Sequence, residues 1–365
     1  MAFLPRFSLY HPRLVGLAVL ACALPAAAGG LAADKVRDIE KAISEEMGKQ
    51  QVPGLSAAVA QDLRLAWSGG FGMSDLENSV PARASTVYRL GSISKPITAV
   101  AVMQLAERNQ LDLDAPIQKY VPAFPEKPWP ITARLLLAHL SGIRHYRDQA
   151  EVQSTRHYTD LLEPLKIFAA DPLLFEPGAK HLYSTYGYVL LGAAVEGASG
   201  MKFLDYLRQN IFKPSGMERI RADSVYDLIP QRARGYRKMP WGEIQNCALA
   251  DTSNKIPGGG LVSTADDLVK FAIALNKGTL LKKATLEQMF TLQTTRDGKP
   301  APYGLGWRIQ ELAGKKWVGH EGSQPGVSTF LLMVPADGFV VAILANLEGL
   351  NLGPLALRMA QVVLH

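Results

Sequence analysis

The sequence predicts an α/β (α+β) protein in which both ends of the chain build one sheet, flanked by helices, with a mainly helical lobe inserted between them. Strand patterns occur near both ends of the 365-residue chain, and helical patterns dominate residues 96–277. The composition, 48% hydrophobic and 20% charged, is that of an ordinary globular protein. A cleft between the two lobes is the expected place for a functional site.

The first 28 residues have the features of a secretory signal peptide. They contain Arg6 and Arg13 but no acidic residue, an apolar run over residues 14–24, and an Ala-x-Ala cleavage signal at residues 26–28. The run is shorter than the roughly 20 apolar residues that a membrane-spanning helix needs. We therefore expect export to the periplasm or secretion. A lipoprotein modified at Cys22, an uncleaved membrane anchor and a mitochondrial presequence remain as alternatives.

Residues 29–365 form the predicted domain, and its two ends supply the sheet. A helix is predicted over residues 34–50, followed by short strands at 55–61 and 64–71. Strand patterns return at residues 317–319, 327–334 and 338–344, and an amphipathic helix is predicted over 352–364. The α/β lobe is thus assigned to residues 35–95 and about 278–365.

The middle of the chain, from about residue 96 to 277, is assigned to the helical lobe. Gly142 and Gly200 mark the ends of two predicted helices, and Ser263 and Thr264 are candidate caps for another. Connections rich in proline and glycine separate these helices. The predicted helices cover residues 97–108, 132–140, 186–199, 202–211 and 265–276.

Charge and cysteine content exclude several classes of protein. The net charge of +6 falls to +4 when Arg6 and Arg13 leave with the signal peptide, and the basic residues form no block. A nucleic-acid partner is therefore not expected. Without the signal peptide Cys247 is the single cysteine, which excludes an internal disulfide and a thiolate metal cluster. We expect neither a metal nor a cofactor.

The stretch Ser92-Ile-Ser-Lys95-Pro96 places a serine one helical turn before a lysine. Positions i and i+3 share a helix face, and Pro96 indicates that a helix begins here, because proline is tolerated in a first turn. The apolar residues that follow would desolvate Lys95 and lower its pKa, so that it can act as a base. The spacing alone is weak evidence, because Ser199-x-x-Lys202 repeats it where no function is expected.

Two more motifs follow Ser92-x-x-Lys95 along the chain. Tyr183-Ser-Thr185 precedes a predicted helix, and His320-Glu-Gly-Ser323 ends a strand pattern. The ordered set resembles the serine β-lactamase and penicillin-binding-protein superfamily, in the branch of class C β-lactamases, D,D-carboxypeptidases and esterases. The resemblance covers residues 35–365 and implies a β-lactamase/transpeptidase-like fold with an antiparallel sheet.

The resemblance also implies roles for these residues. It makes Ser92 the acylated nucleophile, Lys95 its base, and Tyr183 the group that passes a proton to the leaving group. The backbone N–H groups of Ser92 and Ser323 would form the oxyanion hole. Gly322, which has no side chain, would leave room for the substrate.

Three positions depart from the family pattern. Thr185 replaces an asparagine whose amide grips the substrate's carbonyl, and a threonine offers one donor rather than two. His320 replaces a lysine, so a permanent anchor for a carboxylate is lost. Glu321 stands where relatives carry a hydroxyl, and it would oppose penicillins unless strand alternation turns it outward. Thr185, His320, Glu321 and Gly322 are the expected substrate-binding residues.

The expected function is that of a metal-independent serine hydrolase that forms an acyl-enzyme on Ser92 and cleaves peptide or amide bonds, as D,D-carboxypeptidases do. The alternatives are a short-chain esterase, a weak β-lactamase and a non-catalytic scaffold or sensor. The expected partner is a small peptide, amide or ester, and both a membrane tether and self-association remain open. His139, Ser141 and His145 lie at a helix end and its loop, and no catalytic role is assigned to them.

Overall fold

The structure is a computed structural model that describes residues 30–312 and 314–365. The predicted signal peptide, with Cys22, lies outside the described residues. Twelve strands are present in this part of the chain: β1 (Gly54–Gln61), β2 (Arg64–Asp75), β3 (Val80–Pro81), β4 (Tyr88–Arg89), β5 (Arg221–Ala222), β6 (Tyr236–Lys238), β7 (Ile244–Asn246), β8 (Leu261–Ser263), β9 (Arg308–Leu312), β10 (Lys315–Gln324), β11 (Val327–Val334) and β12 (Phe339–Ala345).

The same residues form eleven α-helices, several of them a single turn long. None of these helices combines the length and apolar composition needed to cross a membrane. They are α1 (Ala33–Gln50), α2 (Ser94–Glu107), α3 (Ala133–Leu137), α4 (Gln149–Val152), α5 (Thr185–Ser199), α6 (Phe203–Leu207), α7 (Lys213–Ser215), α8 (Ile256–Gly259), α9 (Ala265–Asn276), α10 (Lys283–Met289) and α11 (Gly353–Leu364).

The main sheet has seven strands in the order β3-β2-β1-β12-β11-β10-β9. Each neighbouring pair in it is antiparallel. The two ends of the chain meet where β1 pairs with β12, with Val59 opposite Val341. The predicted fold class, an antiparallel sheet built from both chain ends and flanked by helices, is confirmed.

Both faces of the sheet are buried. Val59 and Val341 pack against α1 and α11 in a core that also contains Met359 of α11. Their strand neighbours Ala58 and Ala342 point to the opposite face, because side chains alternate along a strand, and there they join a larger hydrophobic core that also contains residues of α2 and α5. This burial on two faces explains why β12 is apolar at every position.

The helix α2 runs through the helical lobe and is buried from its first residue through Leu105. Ser92 lies immediately before it, in a short 3₁₀ turn (Gly91–Ile93). The helices α5 and α8 pack on α2 and on each other, so closely that a Cβ added to Gly192 would fall 2.2 Å from Pro257 Cγ. This packing brings the start of α5 and the backbone of α8 against the first turn of α2.

Most predicted elements agree with the structure to within a few residues, but three do not. The helix predicted over residues 132–140 ends at Leu137, because His139 has a positive φ of 59°. The helix predicted over 202–211 changes after Leu207 into a π-helical turn, Arg208–Phe212. The short strand predicted at 317–319 extends over the whole of β10 and carries the third motif.

The close packing of α5 on α8 gives a test with a matched control. Gly192→Ala is expected to lower the free energy of unfolding by about 1–3 kcal/mol, because the new methyl group overlaps Pro257. Gly48→Ala, in α1 with no atom within 4 Å of the added Cβ, is expected to raise it by about 0.5–1 kcal/mol. Urea denaturation measures both, and equal stabilisation of the two variants would contradict the packing described.

Candidate active site

The three motifs meet at one small cavity of about 60 Å³. Ser92 and Thr185 lie on its wall beside Ser323, so residues from all three motifs line it. Lys95 and Tyr183 lie behind these residues. The full lining consists of Gly91, Ser92, His145, Tyr146, Val152, Thr185, Lys255, Gly258, Gly259, Ser323 and Gln324.

Lys95 is fully buried, and its amine lies among three polar atoms. Its Nζ is 2.9 Å from Ser92 Oγ, 3.1 Å from Thr185 Oγ1 and 2.6 Å from the carbonyl oxygen of Gly258. Burial, and to a smaller degree the charge of Lys255, lowers the pKa of Lys95 well below its ordinary value. A neutral amine in this place can accept the proton of the Ser92 hydroxyl.

The Tyr183 ring lies against the Lys95 amine, 4.7 Å from Nζ to the ring centroid. The next residue fixes this position, because the backbone N–H of Ser184 donates to His139 Nδ1 at 3.1 Å, and the His139 ring packs 4.3 Å from the Tyr183 ring. Burial raises the pKa of Tyr183 well above its ordinary value, and the nearby Ser92 hydroxyl opposes the shift. The phenol is therefore protonated at neutral pH and can donate a proton.

The backbone nitrogens of Ser92 and Ser323 lie close together where β10 passes the turn before α2. A Cβ added to Gly91 would lie 2.9 Å from Ser323 N, and one added to Gly322 would lie 3.1 Å from Ser92 N. Gly91 also has a positive φ of 53°, which favours glycine. Two neighbouring backbone donors without side chains between them are the arrangement that an oxyanion hole requires.

His320 is buried behind Tyr183, with a ring-to-ring distance of 6.2 Å, and does not line the cavity. Its Nε2 is 2.7 Å from the Tyr303 hydroxyl, and its Nδ1 is 2.5 Å from the carbonyl oxygen of Glu321. Burial, together with the charge of Lys95, lowers its pKa to about 3, so the ring is neutral. Substrate binding by His320 stays a prediction. The contacts of the His320 ring with Tyr303 and Glu321 place it behind the Tyr183 phenol.

Glu321 points to the exposed side of β10, where its carboxylate pairs with Arg308 of β9 at 2.6 Å. Roughly half of each side chain is exposed, 48% for Glu321 and 40% for Arg308. The charge of Glu321 adds to the burial-driven rise in the pKa of Tyr183, and the charge of Arg308 opposes that rise, so both members of the pair act on the site. Sequence reasoning missed Arg308, because only the register that places it opposite Gly319 brings it to the third motif.

Sequence reasoning also missed two residues of the cavity wall. Lys255 is buried, donates to the Val152 carbonyl oxygen at 2.7 Å, and has a pKa that burial lowers to about 8. His145, to which no role was assigned, accepts the backbone N–H of Thr185 at Nδ1 over 3.2 Å, and burial lowers its pKa to about 4. Lys255 ends a 3₁₀ turn directly before α8, and His145 lies in the loop between α3 and α4, so contacts distant in the sequence bring both to the cavity of Ser92.

A larger cavity of about 450 Å³ lies elsewhere, between α2 and α10, beside the Arg134–Asp114 ion pair. It contains none of the motif residues and no serine beside a base. Among residues 30–312 and 314–365, no cluster of His, Cys, Asp or Glu is placed to hold a metal ion. We therefore assign the chemistry to the smaller cavity.

Comparison with known proteins agrees with this fold. The model of the beta-lactamase family matches residues 39–363, and the chain belongs to this family. Its structural neighbours include a penicillin-binding protein homologue and a D-stereospecific amidohydrolase. The predicted membership of the β-lactamase and penicillin-binding-protein superfamily is confirmed.

Three relatives illustrate the likeness. The mitochondrial serine beta-lactamase-like protein LACTB of Homo sapiens is 31% identical, over 90% of this chain and 79% of that protein. The octameric penicillin-binding protein homologue from Pyrococcus abyssi has a TM-score of 0.77 at 29% identity, over 90% of this chain and 77% of its own. The D-stereospecific amidohydrolase from Streptomyces sp. has a TM-score of 0.72 at 26% identity, over 86% of this chain and 94% of its own.

The lowered pKa of Lys95 predicts how Ser92 reacts as pH changes. Deprotonated Lys95 is the form that accepts a proton, so the rate of labelling by a neutral fluorophosphonate should rise with pH to a plateau whose midpoint lies well below 10.5. Lys95→Met, which removes the base, should slow labelling by about 10²–10⁴-fold and abolish this rise. A midpoint near 10.5, or a rise that persists in Lys95→Met, would contradict the assignment.

Proposed function

We propose that this chain is a serine hydrolase that forms an acyl-enzyme on Ser92 and cleaves amide or peptide bonds in small substrates. The contact of 2.9 Å between Lys95 Nζ and Ser92 Oγ, beside a protonated Tyr183, carries the proposal. The family supports it, since its relatives include proteins named as penicillin-binding proteins and as a D-stereospecific amidohydrolase.

Acylation begins with neutral Lys95, which takes the Ser92 proton as Ser92 Oγ attacks the substrate's carbonyl carbon. The backbone N–H groups of Ser92 and Ser323 stabilise the oxyanion that forms. When the C–N bond breaks, Tyr183 donates its hydroxyl proton to the leaving amine and recovers a proton from the Lys95 ammonium. The net transfer carries one proton from Ser92 to the leaving group, and Lys95 is neutral again.

Deacylation uses the same groups in the reverse order. Water occupies the place of the leaving amine and attacks the carbonyl carbon of the acyl-enzyme. Its proton passes through Tyr183 and Lys95 to Ser92 Oγ as the ester bond breaks. The oxyanion of this second step lies at the same two backbone N–H groups, so one constellation serves both halves of the reaction.

A second candidate function is the hydrolysis of short acyl esters. The neutral state of His320, and its bonds to Tyr303 and to its own neighbour's carbonyl, favour this alternative. The third motif then offers no cation to a substrate's terminal carboxylate. An ester also needs less protonation of its leaving group than an amide does. Efficient β-lactam hydrolysis is the outcome that these substitutions support least.

Export is the proposed location, and it is supported by the acid-free, apolar start of the chain. One similar protein is named as mitochondrial and others are bacterial penicillin-binding proteins, so the relatives span two destinations. N-terminal sequencing of the mature protein from its native host distinguishes cleavage near residue 28 from lipidation at Cys22.

Intact-mass analysis after fluorophosphonate treatment tests the acyl-enzyme. Wild-type protein should gain one adduct, located on Ser92, and Ser92→Ala should gain none and lose turnover of its substrates. Ser199→Ala is the matched control, because Ser199-x-x-Lys202 has the same spacing, but the Ser199 hydroxyl donates to the Val195 carbonyl oxygen instead of facing a lysine. This variant should be labelled like the wild type.

A substrate panel separates the two candidate activities. D-Alanine-terminated peptides and amides, p-nitrophenyl esters and nitrocefin are compared on wild type and Ser92→Ala. If wild type but not Ser92→Ala turns over the peptides or amides, the amidohydrolase is supported. If wild type turns over only the esters, the esterase is supported. A folded wild-type protein that forms no Ser92 adduct and turns over nothing in the panel would refute a hydrolase function.

A further inference from the structure

The buried lysine Lys255 has no part in the acylation chemistry, yet it lines the same cavity as Ser92. An ammonium group has three N–H donors. One donates to the Val152 carbonyl oxygen at 2.7 Å, and the amine lies 5.2 Å from the centroid of the Tyr146 ring. Among the described residues, no other hydrogen-bond acceptor and no carboxylate within 4.0 Å accompanies this amine.

The nearest acidic residues that act on Lys255 already have partners. Asp223 pairs with Arg89 at 2.8 Å, and Asp251 pairs with His157 at 2.8 Å. Burial, with a smaller contribution from Arg89, lowers the pKa of Lys255 to about 8, so most of the amine is still protonated at neutral pH. A buried cation without a counter-ion is unfavourable unless an anion joins it. The free donors of Lys255 therefore indicate an anionic group in the cavity.

The position of Lys255 indicates which part of a substrate carries that anion. Lys255 lines the cavity together with Gln324, the last residue of β10, whereas Tyr183 and His320 do not line it. Tyr183, the proposed proton donor to the leaving group, lies behind the cavity wall, with its ring 4.3 Å from the His139 ring and 6.2 Å from the His320 ring. The leaving group thus points away from Lys255, and the acyl group points toward it.

We propose that Lys255 binds a carboxylate on the acyl part of the substrate, so that acyl groups bearing an anion are preferred over neutral acyl groups of the same length. The inference rests on the proposed acyl-enzyme function and adds a substrate class to it. His145 adds a second donor on the cavity wall: its Nδ1 already accepts the Thr185 N–H, so the neutral ring carries its proton on Nε2.

Two esters of equal chain length test this preference. The p-nitrophenyl ester of adipic acid, with its free carboxylate, is compared with the p-nitrophenyl ester of hexanoic acid after subtraction of the spontaneous rates. In Lys255→Met the ratio of kcat/KM for adipate to that for hexanoate should fall by about 10- to 100-fold, the effect of losing one hydrogen bond to a charged group. Lys255→Arg should keep much of the ratio, and Lys277→Met, an exposed control, should keep all of it.

A binding measurement on Ser92→Ala separates this inference from the proposed function. Monomethyl adipate should raise the melting temperature of Ser92→Ala, and adding Lys255→Met should remove the rise. If Lys255→Met does not fold, Lys255→Gln, which keeps a donor for the Val152 carbonyl oxygen, takes its place. If a Ser92 adduct forms but Lys255→Met changes kcat/KM equally for both esters, the inference about Lys255 is overturned and the hydrolase function is not. Lys255-dependent binding without any Ser92 adduct overturns the hydrolase and leaves the anion site standing.

Discussion

The candidate active site is organised around the buried amine of Lys95. A lysine in a protein interior must lose its charge or find acceptors. Burial lowers the pKa of Lys95, and its amine contacts Ser92, Thr185 and the Gly258 carbonyl. These contacts come from the turn before α2, from α5 and from α8. A Cβ added to Gly258 would lie 2.7 Å from Thr185 Cγ2, so glycine allows the approach of α8 to α5. The close packing of the helical lobe thus holds the reactive pair together.

Much of the fold could be predicted, because the signals for its sheet and long helices are local. Apolar runs and turn residues located β11 and β12, and Thr264 caps α9 by accepting the Asp267 N–H, as its position before the helix suggested. Other features follow from contacts distant in the sequence. The edge strand β9 is exposed over most of its length, which leaves little apolar alternation to detect. The π-helical turn after α6 has no signal in the sequence that we can identify.

The residues of the site also divide into those with a local sequence signal and those that only contacts distant in the sequence bring there. Ser92 and Lys95 are three residues apart, so their contact follows from helix geometry once a helix is known to begin there. Lys255, His145 and Arg308 reach the cavity or its edge through loops and through the β9–β10 register, and no spacing along the chain records such contacts. Sequence reasoning therefore identified the groups that we propose to transfer protons and missed Lys255, His145 and Arg308 around them.

These missed residues change the electrostatics of the site. The third motif of this chain carries a neutral histidine, His320, and the charge of Arg308 is offset by Glu321 at the edge of the cleft. In the same cavity as Ser92, Lys255 is a cation without a carboxylate partner among the described residues. Lys255 is the only lysine or arginine among the described residues that line this cavity. Because the proposed acylation uses Ser92, Lys95, Tyr183 and the two backbone donors but not Lys255, that chemistry is compatible with a substrate preference set by the charge of Lys255.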